Sequence, residues 1–126
     1  MKKLTVVFFA NTSELHILNK AILYARDNEL CDRVIVAHVY NRQSNPNDYQ
    51  DIPNRLKENL TVLDHVYPKM KVDLLLINTT AEFCPQLVKY LSNELAIQTS
   101  FMFIRCPGEN FPFNIGEFVG IRTIMK

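Results

Sequence analysis

Glycine is scarce in this sequence: the 126 residues include three, Gly108, Gly116 and Gly120, all near the C-terminus. A Walker A loop and a GxGxxG dinucleotide-binding turn each need several glycines between an early strand and the helix that follows it. The sequence therefore excludes both motifs and lacks the strongest signals for phosphate chemistry.

Neither sign of charge is in excess, because 14 Lys and Arg residues accompany 13 Asp and Glu residues, a formal net charge of +1. Nucleic-acid-binding proteins normally carry a basic surplus, so nucleic acid is not an expected partner. The longest apolar runs are far shorter than the roughly 20 residues that a membrane span needs; they are Leu4–Ala10, which Thr5 interrupts, and Leu74–Ile77.

Cysteine is limited to Cys31, Cys84 and Cys106, an odd number of residues that lie far apart in the sequence. They show neither the pair spacing of a zinc site nor a disulfide framework. This usage predicts a reduced, cytoplasmic compartment.

Apolar segments alternate with amphipathic ones along most of the chain. Four segments are apolar without polar alternation, which is typical of strands buried on both faces: Leu4–Phe9, Arg33–Val39, Val72–Ile77 and Ser100–Ile104. A short fifth strand is predicted over Val119–Met125. Helical spacing of apolar residues predicts three helices, over residues 15–25, from Pro53 to Tyr67, and from Pro85 to Leu95.

This order of elements predicts the fold class. Continuously apolar strands that alternate with helices indicate a parallel sheet covered on both faces, and right-handed crossovers leave few topologies. We predict a three-layer, doubly wound α/β sheet of five strands in the order 3-2-1-4-5. The chain length favours one domain over residues 1–126, with residues 106–126 as an extended tail that closes the sheet edge.

A binding site is expected where the strand order reverses, beyond the carboxyl ends of the first and fourth strands. The polar loop Tyr40–Asp51 is long for a compact domain, so we expect it to be functional or mobile. The predicted ligand-binding residues are those that end or follow the strands, Asn11, Thr12, Ser13, His38, Tyr40, Asn78, Thr79 and Arg105.

Histidine does not suggest a metal centre, because the three residues share no ligand spacing with one another or with the cysteines. His16 and His65 fall on the polar faces of their helices and are expected to be exposed. His38 lies near the end of a buried strand, where it needs a hydrogen-bond partner. It is either a structural residue or part of the crevice lining.

Five phenylalanines lie in the C-terminal quarter of the chain. Phe101 and Phe103 are two residues apart in a predicted strand and are expected in the core. Phe111, Phe113 and Phe118 occupy an irregular segment, and we predict that they cover the sheet edge or form a dimer interface.

Cys84 carries the one enzyme hypothesis. It lies at the predicted start of a helix, where unpaired N–H groups and the helix dipole would stabilise a thiolate. The stretch TAEFCP, residues 80–85, faintly resembles the TxxCP turn of peroxiredoxins, but its threonine is one position too distant and Glu82 would oppose the negative charge. Buried or inert thiols are therefore favoured, and we predict no enzymatic activity.

Three stretches follow one another in an order that a known family shares. FFANTSELHILNKAILYAR (residues 8–26) forms a strand, a turn and a helix; Ala37-His38-Val39 closes the second strand and Val72-Asp73-Leu74 opens the third. Over about residues 4–105 the chain resembles the universal stress protein family. The resemblance implies a regulatory or ligand-sensing module, with adenine nucleotide as the ligand in the ATP-binding members.

Two departures weaken that nucleotide assignment. ATP-binding stress proteins carry GxxG, nine residues and then G-S/T after the fourth strand, whereas this sequence has Arg105-Cys106-Pro107-Gly108-Glu109 there. The acidic residue of the family's first turn is Asn11 here, and a neutral side chain does not serve a metal ion as a carboxylate does. No cofactor is predicted, and ATP or AMP binding stays an alternative.

A narrower resemblance rests on the segment FPFNIGEFVGIRTIM (residues 111–125), with the earlier LDHVYP and LLLI. These are similar to the cytosolic, stress-protein-like C-terminal domain of certain eukaryotic amino-acid permeases, although Val119 stands where a second glycine would be. The chain also begins and ends on predicted strands, as expected of an excised domain. This resemblance implies a transporter membrane domain as a partner in cis.

Together these observations predict a non-enzymatic, cytoplasmic regulatory or ligand-sensing module whose ligand orders the Tyr40–Asp51 loop. An adenine-nucleotide-binding stress protein is the alternative, and a thiol-dependent enzyme that uses Cys84 is less favoured. The predicted partners are an unidentified small molecule, a second copy of the chain and the transporter domain.

Overall fold

A computed structural model describes residues 4–10, 12–28, 31–40, 48–78, 85–105 and 122–124 of the chain. A 3-10 turn, Thr99–Phe101, precedes the fourth strand. The elements in chain order are β1 (Leu4–Phe9), α1 (Leu15–Asn28), β2 (Cys31–Tyr40), α2 (Asp48–Val66), β3 (Lys71–Asn78), α3 (Pro85–Leu95), β4 (Met102–Arg105) and β5 (Arg122–Ile124).

Four strands form the parallel sheet, in the order β3-β2-β1-β4. This confirms the predicted α/β class and the predicted order of these four strands. The short segment Arg122–Ile124 pairs in parallel with Phe103–Arg105, on the side of β4 away from β1. The rest of the predicted C-terminal tail lies outside the described residues.

Helices cover both faces of the sheet, because successive side chains of each strand point to opposite faces and nearly all of them are apolar. On one face, α1 and α2 pack on a cluster whose largest members are Phe8, Phe103, Leu18, Ile22 and Leu56. On the other face, α3 packs through Val88 and Leu91 on Val7, Phe9, Ile35, Met102 and Ile104. We call these the α1/α2 core and the α3 core.

The predicted start of α2 is wrong. Proline has no N–H to donate within a helix and is favoured in the first turn, so the sequence predicts that α2 begins at Pro53. Pro53 instead lies inside the helix, which begins at Asp48. The loop predicted over Tyr40–Asp51 is therefore wrong at both ends, because Tyr40 ends β2 and Asp48–Asp51 are helical.

The predicted start of β4 is also wrong. Ser100 and Phe101 form a 3-10 turn rather than strand, and the Phe101 N–H donates to the Gln98 carbonyl at 3.0 Å. Phe101 still packs against the α1/α2 core, in which Phe103 is fully buried. The strand ends at Arg105, one residue beyond the predicted end at Ile104.

Candidate functional site

The turn that follows β1 forms one wall of the predicted crevice. The Ala10 N–H donates to the Ala37 carbonyl at 2.8 Å, so pairing with β2 continues one residue beyond β1. The Thr12 hydroxyl then accepts from the Glu14 N–H at 3.2 Å, and the Glu14 carbonyl accepts the first helical bond of α1, from Leu18. Thr12 therefore stabilises the turn into α1, while Asn11, a predicted ligand-binding residue of the same turn, lies outside the described residues.

His38 lies against that turn from β2. It is 6% exposed, and its Nδ1 is 2.8 Å from the Ala10 carbonyl oxygen. Because a carbonyl oxygen only accepts, Nδ1 carries the proton and donates it to this bond. His38 thus joins the carboxyl ends of β1 and β2, which gives it a structural role at the edge of the crevice.

Asn59 reaches the same turn from α2, and it is not among the residues predicted from the sequence. Its Nδ2 donates to the Ser13 carbonyl at 2.6 Å, and the side chain is half-buried. Asparagine is unfavourable inside a helix unless its side chain has a partner. An Asn beside the apolar stripe of α2 was the available signal, but the stripe does not say which loop it contacts.

The predicted site residues that end strands lie at two levels of the sheet. Phe9 pairs with Ile104 and with Ala37, so Ala10, His38 and Arg105 follow at one level. Tyr40 pairs with Asn78 on the far side of β2 from β1, and at about 3.3 Å per residue it lies about 6–7 Å further out than His38.

Part of the predicted site is not described. The structure describes the side chains of Thr12, Ser13 and His38. For Tyr40, Asn78 and Arg105 it describes the backbone alone, and each of these residues ends a strand. The remaining predicted ligand-binding, interface and thiol residues lie outside the described ranges: Asn11, Thr79, Phe111, Phe113, Phe118, Cys84 and Cys106.

A separate groove of about 730 Å³ runs between α1 and α2 on the outer surface. Its apolar lining comes from Leu15 on α1 and from α2, where Val62 is 50% exposed, and the polar residues Glu14, His16 and Asn19 complete it. His16 lies at its rim with Nε2 3.5 Å from a Glu14 carboxylate oxygen. The exposure predicted for His16 and His65 is confirmed, but the groove itself was not predicted.

The described side chains do not assemble a metal centre: within those ranges no three His, Cys, Asp or Glu residues gather. Cys31 is half-buried against the α1/α2 core, and its Sγ donates to the Ala25 carbonyl at 3.5 Å. Among the helices that the structure describes, none has both the length and the apolar composition of a membrane span.

Comparisons of the chain with protein-family models, with curated proteins and with solved structures find no match. The resemblance to universal stress proteins therefore rests on the quoted sequence stretches and on the strand order alone.

Proposed function

We propose that the chain is a non-enzymatic regulatory or ligand-sensing module of the universal stress protein type, which binds a small ligand at the carboxyl ends of β1 and β4. One observation carries this proposal. The strand order β3-β2-β1-β4 reverses at β1: the connection that leaves β1 runs through α1 on one face of the sheet, and the connection that leads to β4 runs through α3 on the other. Ligands of open α/β sheets bind in the crevice that forms at such a point.

The residues around that crevice favour a small ligand with a carboxylate or a phosphate. The N-terminal end of α1 carries partial positive charge from its unpaired N–H groups, and Thr12 and Ser13 beside it bring neutral hydroxyl groups. His38 contributes by positioning, because its Nδ1–H is already donated to Ala10. Amino acids, AMP and ATP all carry a suitable anion, and the scarcity of glycine makes the triphosphate the least favoured.

A finer assignment of fold and setting belongs to the same proposal. We infer a complete five-stranded sheet of the stress-protein type, in which the tail over residues 106–126 closes the edge beside β4. The pairing of Arg122–Ile124 with β4 supports this inference. The proposed setting is the cytoplasm, with a transporter membrane domain in cis as the partner that reads the liganded state.

Thermal unfolding with ligands tests the proposal. A ligand that binds the folded chain, present at 100 times its dissociation constant, stabilises it by about 2.7 kcal/mol. We expect AMP or an amino acid at millimolar concentration to raise the unfolding temperature of the wild type, and the rise to be lost in the double variant Thr12→Val, Ser13→Ala.

The matched control is Thr61→Val, which makes the same change at an exposed position of α2 whose hydroxyl donates to the Lys57 carbonyl. This variant should keep the full ligand-induced rise. The proposal is contradicted if no ligand of the panel shifts the wild type, or if the rise survives in the double variant.

A further inference from the structure

The outer strand β3 has one side turned away from the sheet. It pairs with β2 along its whole length and stands at the end of the strand order. The Val72 N–H donates at 3.0 Å to a carboxylate oxygen of Asp64 on α2, so the backbone of Val72 points outward. Because backbone direction alternates along a strand, Leu74 and Leu76 present their N–H and C=O groups outward as well.

In the part of the chain that the structure describes, these two residues lack a hydrogen-bond partner like the one that Asp64 gives to Val72. Within the described ranges, no group hydrogen bonds to the outward backbone of Leu74 or Leu76. The Leu76 side chain is 39% exposed, and Leu74, Leu75 and Ile77 are half-buried. An apolar edge with unpaired backbone groups is a template for another strand.

We propose that this edge pairs with β3 of a second copy of the chain, antiparallel and about a two-fold axis at Leu76. Leu76 then lies opposite Leu76 of the other copy and Leu74 opposite its Asn78, as hydrogen-bonded pairs. Between these two pairs, Leu75 of one copy lies opposite Ile77 of the other. This pair has no backbone hydrogen bonds, and in such pairs the side chains approach most closely. The contact uses the same surface of both copies, as a two-fold dimer requires.

Charge and capping select this register. An axis at Leu74 would place Val72, whose N–H is already donated to Asp64, in a hydrogen-bonded pair, and it would set Asp73 against Leu75. An axis at Leu76 leaves Asp73 in water, where it accepts from Arg33 Nε at 2.6 Å. The four residues from Leu74 to Ile77 carry no charge, so the segment is complementary to itself.

Disulfide trapping tests the register in the full chain with its three cysteines changed to alanine. Leu76→Cys should form a covalent dimer under mild oxidation, because Cα atoms of a hydrogen-bonded pair lie about 5.5 Å apart, within disulfide range. Leu74→Cys is the matched control. Because Leu74 lies opposite Asn78, the Cα atoms of the two Leu74 residues are four residues apart along the strand, about 13 Å, which is too far for a disulfide. Equal trapping of both variants, or none at Leu76, overturns the proposal.

Light scattering on the wild type tests the dimer itself. We expect a mass of twice 14.6 kDa, reduced to the single-chain mass by Leu76→Lys, because like charges would meet at the axis. Val62→Lys, at an exposed apolar position in the α1/α2 groove, should stay dimeric.

Three results overturn the proposal: a wild type of single-chain mass at every concentration, a Leu76→Lys variant that stays dimeric, or a dimer lost instead on changing Phe111 and Phe118 to Ser. Circular dichroism checks that each variant folds. If Leu76→Lys does not fold, the disulfide-trapping result decides whether the proposal holds.

Discussion

Ala96 ends α3 in the left-handed region, with φ of 53°. The Ile97 N–H donates to the Ser92 carbonyl at 3.1 Å and the Ala96 N–H to the Asn93 carbonyl at 3.4 Å. This is the Schellman pattern, in which the left-handed position is usually glycine because a Cβ is disfavoured there.

We therefore predict that Ala96→Gly raises the free energy of unfolding by about 1 kcal/mol. Urea denaturation measures the change. Ala96→Val is the opposite control and should lower stability, since a branched side chain tolerates this backbone poorly. A Gly variant less stable than the wild type would contradict the assignment of the cap.

Two histidines make the same bond in different surroundings. Nδ1 of buried His38 lies 2.8 Å from the Ala10 carbonyl oxygen, and Nδ1 of exposed His65 lies 2.9 Å from that of Thr61. Only at the buried position does loss of the donor leave a carbonyl out of reach of water.

His38→Phe should therefore lower the free energy of unfolding by about 1–3 kcal/mol. His65→Phe should change it by less than about 0.5 kcal/mol, as is usual for surface substitutions. Equal effects of the two changes in urea denaturation would show that the Ala10 contact does not hold the ends of β1 and β2 together.

Only some of these side-chain contacts could be predicted from the sequence. His38 needed a partner because it falls near the end of an apolar strand, but nothing local identifies Ala10 as that partner. Asn59 went unnoticed because its bond to Ser13 joins residues 46 positions apart. Contacts between an element and a distant loop depend on how the elements pack, which no local spacing encodes.

At the scale of elements, polar contacts fix α1 and α2 side by side over the sheet. The Tyr67 hydroxyl, just after α2, donates to the Asn19 side-chain oxygen on α1. The Arg26 guanidinium lies 5.5 Å from the centre of the Tyr67 ring. Tyr67 thus joins the end of α2 to two residues of α1, Asn19 and Arg26.

Tyr67→Phe keeps the ring and removes only the hydroxyl, so we expect a loss of about 1 kcal/mol in the free energy of unfolding. Tyr90→Phe, at an exposed position of α3, is the matched control and should be neutral. A double-mutant cycle with Asn19→Ala isolates the hydroxyl contact. A coupling free energy of zero in that cycle would contradict it.

The ends of helices and strands were predictable where the local residues favour a single conformation. Pro85 opens α3 as proline does in a first helical turn, and β1 begins and ends at the predicted residues, Leu4 and Phe9. The start predicted from Pro53 was wrong because α2 tolerates a proline one turn after its first residue, Asp48. Ser100 and Phe101 suit a strand as well as a 3-10 turn, so local preference could not separate the two.

At the scale of the whole molecule, apolar strands and right-handed crossovers specify the order β3-β2-β1-β4 and the two cores. The same order creates the reversal at β1 on which the proposed binding crevice depends. The ligand does not follow from topology, because the fold supports many different sites. The outer groove between α1 and α2 is the competing surface in the described chain.

Amide chemical shifts of the ¹⁵N-labelled protein, titrated with AMP and separately with amino acids, distinguish the two surfaces most directly. Binding at the reversal point should move the amide signals of Thr12, Ser13 and His38 and leave those of Val62 and Val66 in place. Shifts confined to the groove, or none with any ligand, would contradict the account.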